Sequence, residues 1–385
     1  MEFIPALLGV GSDDIDHEFR RLLALSVKSG GLGIRNPMAT AEELFDVSHA
    51  ACSHLIGTLV HRSELDIVRH GTTVGEAIAA NRKARVLEEG TFLERRGRGK
   101  PATKRRQRKN MSGTGTYLQA IPDRLNGTIL SANEWRDNTR IRFNLEPLDM
   151  PRRCDGCGEC MTVEHALQCK RGGLVSIRHD DLGSEWRWLT SCATSHARVS
   201  REPRIHSSAS RTERDVAAAE NRAPVTTPTP QSTPDPDEKR ADVGVHGFWQ
   251  NGRPCLFDIR VTDTDARSYR HKEPAQVLAD QEQEKKDKYL ATCHELRKDF
   301  TPLVYSVDGM AGREAKAAER RCASMLAKKW HLQYSQMVHF VRVRMALAVA
   351  RSNSLLIRGS RAREPNRPFI QSRTALYEPQ TWQER

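Results

Sequence analysis

A chain of 385 residues, 38% hydrophobic and 29% charged, has room for two or three domains but not for one uniformly packed core. Its formal charge of +12 favours a polyanionic partner, most simply nucleic acid, and no run of about 18 apolar residues is present to span a membrane. The first residues, MEFIPALLGVGSDDID, lack the basic n-region and small-residue cleavage site of a secretory signal, so the nine cysteines read as reduced thiols rather than disulfides.

In chain order, the first 90 residues have a helical pattern. IDHEFRRLLALSV places Ile15, Phe19, Leu22, Leu23 and Leu25 close to a 3.6-residue period. GGLGIRNP breaks that helix, with Gly30, Gly31, Gly33 and Pro37 as turn residues. A second helix follows, with Thr40 as candidate N-cap and Glu43 at capping-box spacing, and a third is expected over 75–94. The segment ERRGRGKPATKRRQRKN then carries Arg95, Arg96, Arg98, Lys100, Lys104, Arg105, Arg106, Arg108 and Lys109 without apolar partners. It reads either as a solvated loop or as a phosphate-contacting or nuclear-localisation segment. Short helices are expected over 117–150.

CDGCGECMTVEHALQCKRGG begins at Cys154 and holds four of the nine cysteines. Its spacing is Cys154-x2-Cys157-x7-His165-x3-Cys169. A C-x-x-C turn presents two thiolates to one side of an ion, and a histidine and cysteine on a following helix close a tetrahedron. Four protein ligands leave no open position, so the zinc implied is structural. Cys160 competes for a place in the set. The basic residues that follow suit a knuckle that binds nucleic acid.

Residues 206–239 are rich in Pro, Ser, Thr and Ala and cannot bury enough apolar surface to offset their ordering entropy, so a disordered insert is expected there. ADVGVHGFW and RPCLFDIRVT then read as paired strands around QNGR, a hairpin signal. A long helix, PAQVLADQEQEKKDKYLATCHELRK, precedes a buried strand, TPLVYSV, and amphipathic helices near 312–329 and 334–352. Residues 362–385 read as a disordered tail. In such a hairpin Asp242 and Asp258 can meet at one end, forming a hard oxygen site suited to Mg²⁺ in phosphodiester chemistry. Arg260 can offset charge but hardly deprotonates, whereas Lys285 or Lys288 from the following helix can reach the same place.

LLALSVKSGGLGIRNP, the Cys154–Cys169 run, RADVGVHGFWQNGRPCLFDIRVTD, QEQEKKDKY and TPLVYSVDGMAG, in this order, resemble the C-terminal part of the protein of non-LTR retrotransposons that carry a restriction-like endonuclease. The resemblance spans most of residues 15–360 and is weakest over 60–115 and the Pro-rich insert. It implies an α+β multidomain chain. The parts are an all-α, thumb-like region with its basic segment over 1–150, a zinc knuckle over 151–172, and an α/β core of the PD-(D/E)xK type over 173–361. Asp242 takes the aspartate of the PD element, with Ala241 where proline often stands, and Asp258 takes the acidic place of (D/E)xK. Arg260 stands where that motif has lysine, and Lys285, Lys288 and Tyr289 match a K-x-x-K-Y pattern of this branch. Glu185, with Glu202 as rival, is the candidate for an added carboxylate from the first helix. The implied activity is Mg²⁺-dependent nicking of DNA in the nucleus, with DNA and possibly element RNA as partners. No aromatic-x-Asp-Asp palm turn is present: Asp13-Asp14 lies just upstream of the thumb-like helix, Asp180-Asp181 belongs to the helix after the knuckle, and neither sits in a strand-turn-strand pattern. The expectation is a truncated copy or remnant without its own polymerase. A catalytically dead nucleic-acid-binding remnant and a host interaction protein are the other readings.

Overall fold

The computed structural model describes residues 3–97, 113–195, 198–205, 240–269 and 271–362. The fold is mixed α+β, with one four-stranded mixed sheet among the described residues. The chain forms two compact units, one of Met1–Leu118 with Arg142–Asn144, the other of Gln119–Ile141 with Leu145–Arg385. The basic residues Arg98, Lys104, Arg105, Arg106, Arg108 and Lys109, the insert 206–239 and the tail beyond 362 lie outside the described residues.

The first unit contains α1 (Phe3–Leu8), α2 (His17–Ala24), α3 (Pro37–His61) and α4 (Ile67–Gly97). Asp16 caps α2 by accepting from the Phe19 amide at 2.6 Å. The buried face of α2 is Phe19, Leu22 and Leu23, as the period predicts. The expected cap of α3 is corrected: Asn36 accepts from the Met38 amide at 3.2 Å, Pro37 is the first helical residue, and the Thr40 hydroxyl donates back to the Asn36 carbonyl. Pro37 therefore starts a helix, because its missing amide is an orphan in the first turn anyway. The helix expected over 75–94 runs longer at both ends, as α4. Glu89 ties α4 to the turn after α2, accepting from the hydroxyls of Ser26 (2.9 Å) and Ser29 (2.5 Å).

In the second unit, residues 119–131 lead into α5 (Ala132–Arg142), and the knuckle contains α6 (Val163–Gln168). Next come α7 (Leu174–Ala193), β1 (Val199–Arg201), β2 (Val243–His246), β3 (Pro254–Thr262), α8 (Pro274–Glu295), β4 (Asp299–Ser306), α9 (Arg313–Trp330) and α10 (Tyr334–Arg358). The sheet order is β1-β2-β3-β4, with β1–β2 and β2–β3 antiparallel and β3–β4 parallel. A parallel pair needs a crossover, and α8 supplies it. The sequence pattern does not mark β1, a three-residue edge strand with no buried residue.

Alternation along the central strands sorts the two faces. Cys255, Phe257 and Ile259 of β3 and Leu303 and Tyr305 of β4 share a core with Leu182, Trp186 and Leu189 of α7 and with α9 and α10. Leu256 and Phe300 point the other way, against Tyr289 and Cys293 of α8. Asp258 lies on this second face, beneath α8. Polar clamps hold α5 to α10: Arg358 pairs with Asp137 through two contacts of 2.7 Å, and the Asn138 amide donates to the Ala350 carbonyl at 2.7 Å.

One buried acid makes the fold pH-sensitive. Glu319 on α9 accepts from the Tyr305 hydroxyl at 3.1 Å. Burial pushes its carboxyl up to about 7, against that hydrogen bond and the charges of Arg342, Lys316 and Arg320. A carboxyl raised on folding contributes stability below its unfolded value near 4.5, and that contribution is lost as pH rises through about 7. Glu319→Gln stays neutral. It is expected to gain on the wild type between about pH 5 and about pH 8, by on the order of 3 kcal/mol at the alkaline end in urea unfolding.

Candidate functional site

The knuckle is built by local backbone bonds. The Gly158 amide donates to the Cys154 carbonyl and the Cys154 amide to the Glu159 carbonyl, both at 2.8 Å, which folds the C-x-x-C turn back on itself. Gly158 has φ of 77°, a conformation glycine adopts without strain. Thr162 caps α6 by accepting from the His165 amide at 3.1 Å. His165 and Cys169 then stand one turn apart at the same end of the site. The ligand atoms of Cys154, Cys157, His165 and Cys169 all lie within 4.8 Å of one another, so this cluster can hold a metal ion such as zinc. Cys160 is outside the cluster. It bridges to Arg153 in the backbone and its side chain is exposed.

The ring of His165 is oriented for ligation. Nε2 is 3.4 Å from the Cys157 sulfur, while Nδ1 faces a Glu159 carboxylate oxygen at 3.1 Å. A carboxylate behind a metal-binding imidazole fixes its tautomer and raises its basicity. Sequence reasoning misses Glu159, although it stands two residues after Cys157. Burial opposes ionisation of Cys154, but hydrogen bonds from His165 and the amides of Gly156 and Cys157 hold the thiol down to about 6. The knuckle is seated on the rest of its unit. Asp155 accepts from the Arg361 amide at 2.9 Å, and a Cβ on Gly156 or Gly172 would fall within 3 Å of Arg361. Arg267 donates its amide to Glu164 of α6 at 3.2 Å, and Gln168 donates to Asp263 at 3.3 Å. The loop after β3 thus packs on the knuckle helix.

The second site lies where β2 begins beside the middle of β3, on the two central strands of the sheet. Val243 pairs with Phe257, so Asp242, one residue earlier, stands opposite Asp258. The Asp242 amide donates to the Phe257 carbonyl at 2.9 Å, and its Oδ2 accepts from the Ile259 amide at 2.5 Å. Asp258 is only 5% exposed, and Lys285 of α8 reaches its Oδ2 at 2.7 Å. Burial pushes the Asp258 carboxyl up, Lys285 pulls it down, and the nearby charge of Asp242 pushes it up again. The structure therefore brings Asp242, Asp258 and Lys285 together.

The remaining sequence candidates, Glu202 apart, do not join this group. Lys288 is exposed and lies over the Tyr289 ring at 5.0 Å. Arg260 pairs with Glu284 at 3.0 Å at the rim of the same face. Glu185 is 1% exposed and forms a two-pronged pair with Arg344 at 2.5 and 3.0 Å, with the guanidinium stacked 4.3 Å from Trp188. It is on the side of α7 away from the acidic pair. Its rival Glu202 does line the cleft beside Asp242, donating its amide to the Asp242 carbonyl at 2.9 Å. Arg95 is exposed on α4.

The cleft also holds a residue that sequence reasoning misses. His179 of α7 places Nε2 3.1 Å from Asp242 Oδ2 and Nδ1 3.4 Å from Asp180. The hydrogen bond to Asp242 raises His179 to about 9 against the opposing effect of burial, and Asp180 adds to the rise. Arg187, two turns along the same helix face, and Arg201 line the cleft too. The spacing 179–183–187, with glycine in the middle, is the available signal: it is one helix face with a gap in it. No family model matches this chain, and no curated protein matches it at a significant level.

The Glu185–Arg344 geometry predicts a structural cost. Removing one partner leaves the other charge buried, so Glu185→Ala or Arg344→Ala is expected to lose about 3–5 kcal/mol. The apolar double variant Glu185→Leu, Arg344→Met is expected to recover most of that loss. Chemical denaturation of the four proteins measures both effects.

Proposed function

We propose that this chain is a retrotransposon-derived nucleic-acid-binding protein whose second unit is a metal-dependent DNA endonuclease of the PD-(D/E)xK type. The observation that carries the reading is the meeting of Asp242 and Asp258 across β2 and β3 with Lys285 at 2.7 Å from Asp258. Two carboxylates from neighbouring central strands and a lysine from α8 meet where β2 begins, which is the constellation the resemblance implies.

The donor set fits a hard cation. Asp242 and Asp258 offer oxygen only, and the charge of one makes ionisation of the other harder, a conflict that a divalent ion relieves. Bound there, Mg²⁺ would supply charge stabilisation at the phosphoryl oxygens and a lowered pKa for water. The residues of the chain do the rest. Lys285 sits beside Asp258, where an ammonium orients the attacking water and offsets charge in the transition state. Arg187 and Arg201, lining the cleft with Asp242, are suited to backbone phosphates of DNA. The knuckle, carrying zinc, gives a fixed shape to a segment with a small core and presents basic residues to DNA or element RNA. The excess of positive charge supports such partners and a nuclear location.

Two outcomes are expected. In a plasmid-nicking assay with Mg²⁺ or Mn²⁺, Asp242→Ala and Asp258→Ala should lose activity by orders of magnitude while salt-sensitive DNA binding persists. Lys285→Ala should be less impaired at high pH, where hydroxide substitutes for an activated water. Absence of nicking by the wild type with either metal leaves a nucleic-acid-binding remnant.

Elemental analysis should find one zinc per chain. The double variant Cys157→Ser, His165→Ala should lose it, and Cys160→Ser should keep it. Glu159→Gln should bind zinc about tenfold more weakly, since it removes the anionic partner of His165. Full zinc in the double variant would show that the ligand set is wrong.

A further inference from the structure

Asp242 is held at one oxygen by two different elements. Oδ2 accepts from the Ile259 amide of β3 at 2.5 Å and faces His179 Nε2 of α7 at 3.1 Å. Among the described residues Oδ1 takes no hydrogen bond. One donor fixes a point on a carboxylate, but a second donor from another direction fixes the plane of the group.

His179 is well placed to be that second donor. Its helix is anchored by Leu182, Trp186 and Leu189, all fully buried against the sheet. The ring is bracketed by Asp180 on Nδ1 and Asp242 on Nε2, so the imidazole spans two carboxylates. One turn on, Gly183 presents no side chain, and a Cβ there would meet only the Ile259 methyl at 3.8 Å. The charged groups around the ring are Asp180, Asp242, Arg187, Arg201 and Glu202 along the cleft, and Asp258 with Lys285 on the sheet.

We propose that His179 is a positioning residue for the cation site, donating to Asp242 Oδ2 so that Oδ1 is left as the metal-binding oxygen. The inference rests on the nuclease reading above. Groups behind a metal-binding ligand set its orientation, and their loss commonly weakens binding by 10–100-fold. The His179 side chain is 41% exposed, so its removal has little packing to lose.

The test is Mn²⁺ binding by the zinc-loaded full chain, read by electron paramagnetic resonance, with thermal unfolding in parallel. His179→Ala is expected to weaken Mn²⁺ binding at least tenfold while thermal unfolding shows it still folded at the temperature of the binding measurement. His179→Gln, whose side-chain amide can donate from the position of Nε2, is expected to restore most of the affinity. Wild-type affinity in His179→Ala, with binding lost in Asp242→Ala, overturns the role of His179 and leaves the nuclease reading standing. Equal loss in His179→Ala and His179→Gln overturns the donated hydrogen bond. Wild-type protein that binds no more Mn²⁺ than Asp242→Ala overturns the nuclease reading, and the inference falls with it.

Discussion

A carboxylate in the middle of a buried strand must be matched by a cation, and most of the second unit follows from how Asp258 is matched. β3 alternates, with Cys255, Phe257 and Ile259 in the larger core and Leu256 and Asp258 facing α8. Burial alone drives the Asp258 carboxyl toward its neutral form. Lys285, at 2.7 Å, opposes that rise without cancelling it, and the pair joins α8 to β3. Because β3 and β4 are parallel, α8 has to cross the sheet between them, so the lysine arrives from the connection that the topology already requires.

The two faces of α7 divide structural from cleft chemistry. One face buries Trp186 and pairs Glu185 with Arg344, and desolvation makes that pair costly to break. The other face carries His179, Gly183 and Arg187 along the cleft with Asp242. A carboxylate on the wrong face of a helix is a strut, whatever its place in the sequence. The knuckle precedes the same helix, and the loop after β3 bonds to α6 through Arg267 and Asp263. The knuckle helix is thus hydrogen-bonded to the loop that follows the strand carrying Asp258.

Much of this is legible in the sequence, and for physical reasons. The spacing of Cys154, Cys157, His165 and Cys169 encodes a turn and one helical turn, both local, so the cluster forms as expected and Cys160 falls outside it. The α8 stripe of Leu278, Glu282, Lys285, Tyr289 and Cys293 runs with helical period along buried and half-buried positions, but the sequence leaves Lys285 and Lys288 both open, and only the contact with Asp258 separates them. Long-range partners are not legible. Arg344 lies 159 positions from Glu185, and nothing in the local pattern of α7 announces the pairing. β1 escapes notice because three residues on a sheet edge bury nothing and leave no alternation to read. The cap of α3 is ambiguous because Asn36-Pro37 and Thr40-Glu43 both look like starts, and proline's preference for the first helical position decides between them.

The two candidate metal sites differ in donor softness, and under the proposed reading that difference would let one chain hold two ions apart. Thiolate and imidazole ligands at Cys154, Cys157, His165 and Cys169 favour zinc over a hard cation. Carboxylate oxygens at Asp242 and Asp258 favour Mg²⁺ under the proposed reading, since Mg²⁺ dehydrates reluctantly and seeks charged oxygen. The cations already present sharpen the contrast. Lys285 stands on Asp258, so an ion entering the cleft must share that carboxylate with a protein cation, whereas His179 holds one oxygen of Asp242 and leaves the other open. A weak, exchangeable site suits an ion that works with substrate phosphates, whereas the knuckle, closed by four protein ligands and backed by Glu159, suits an ion that never leaves.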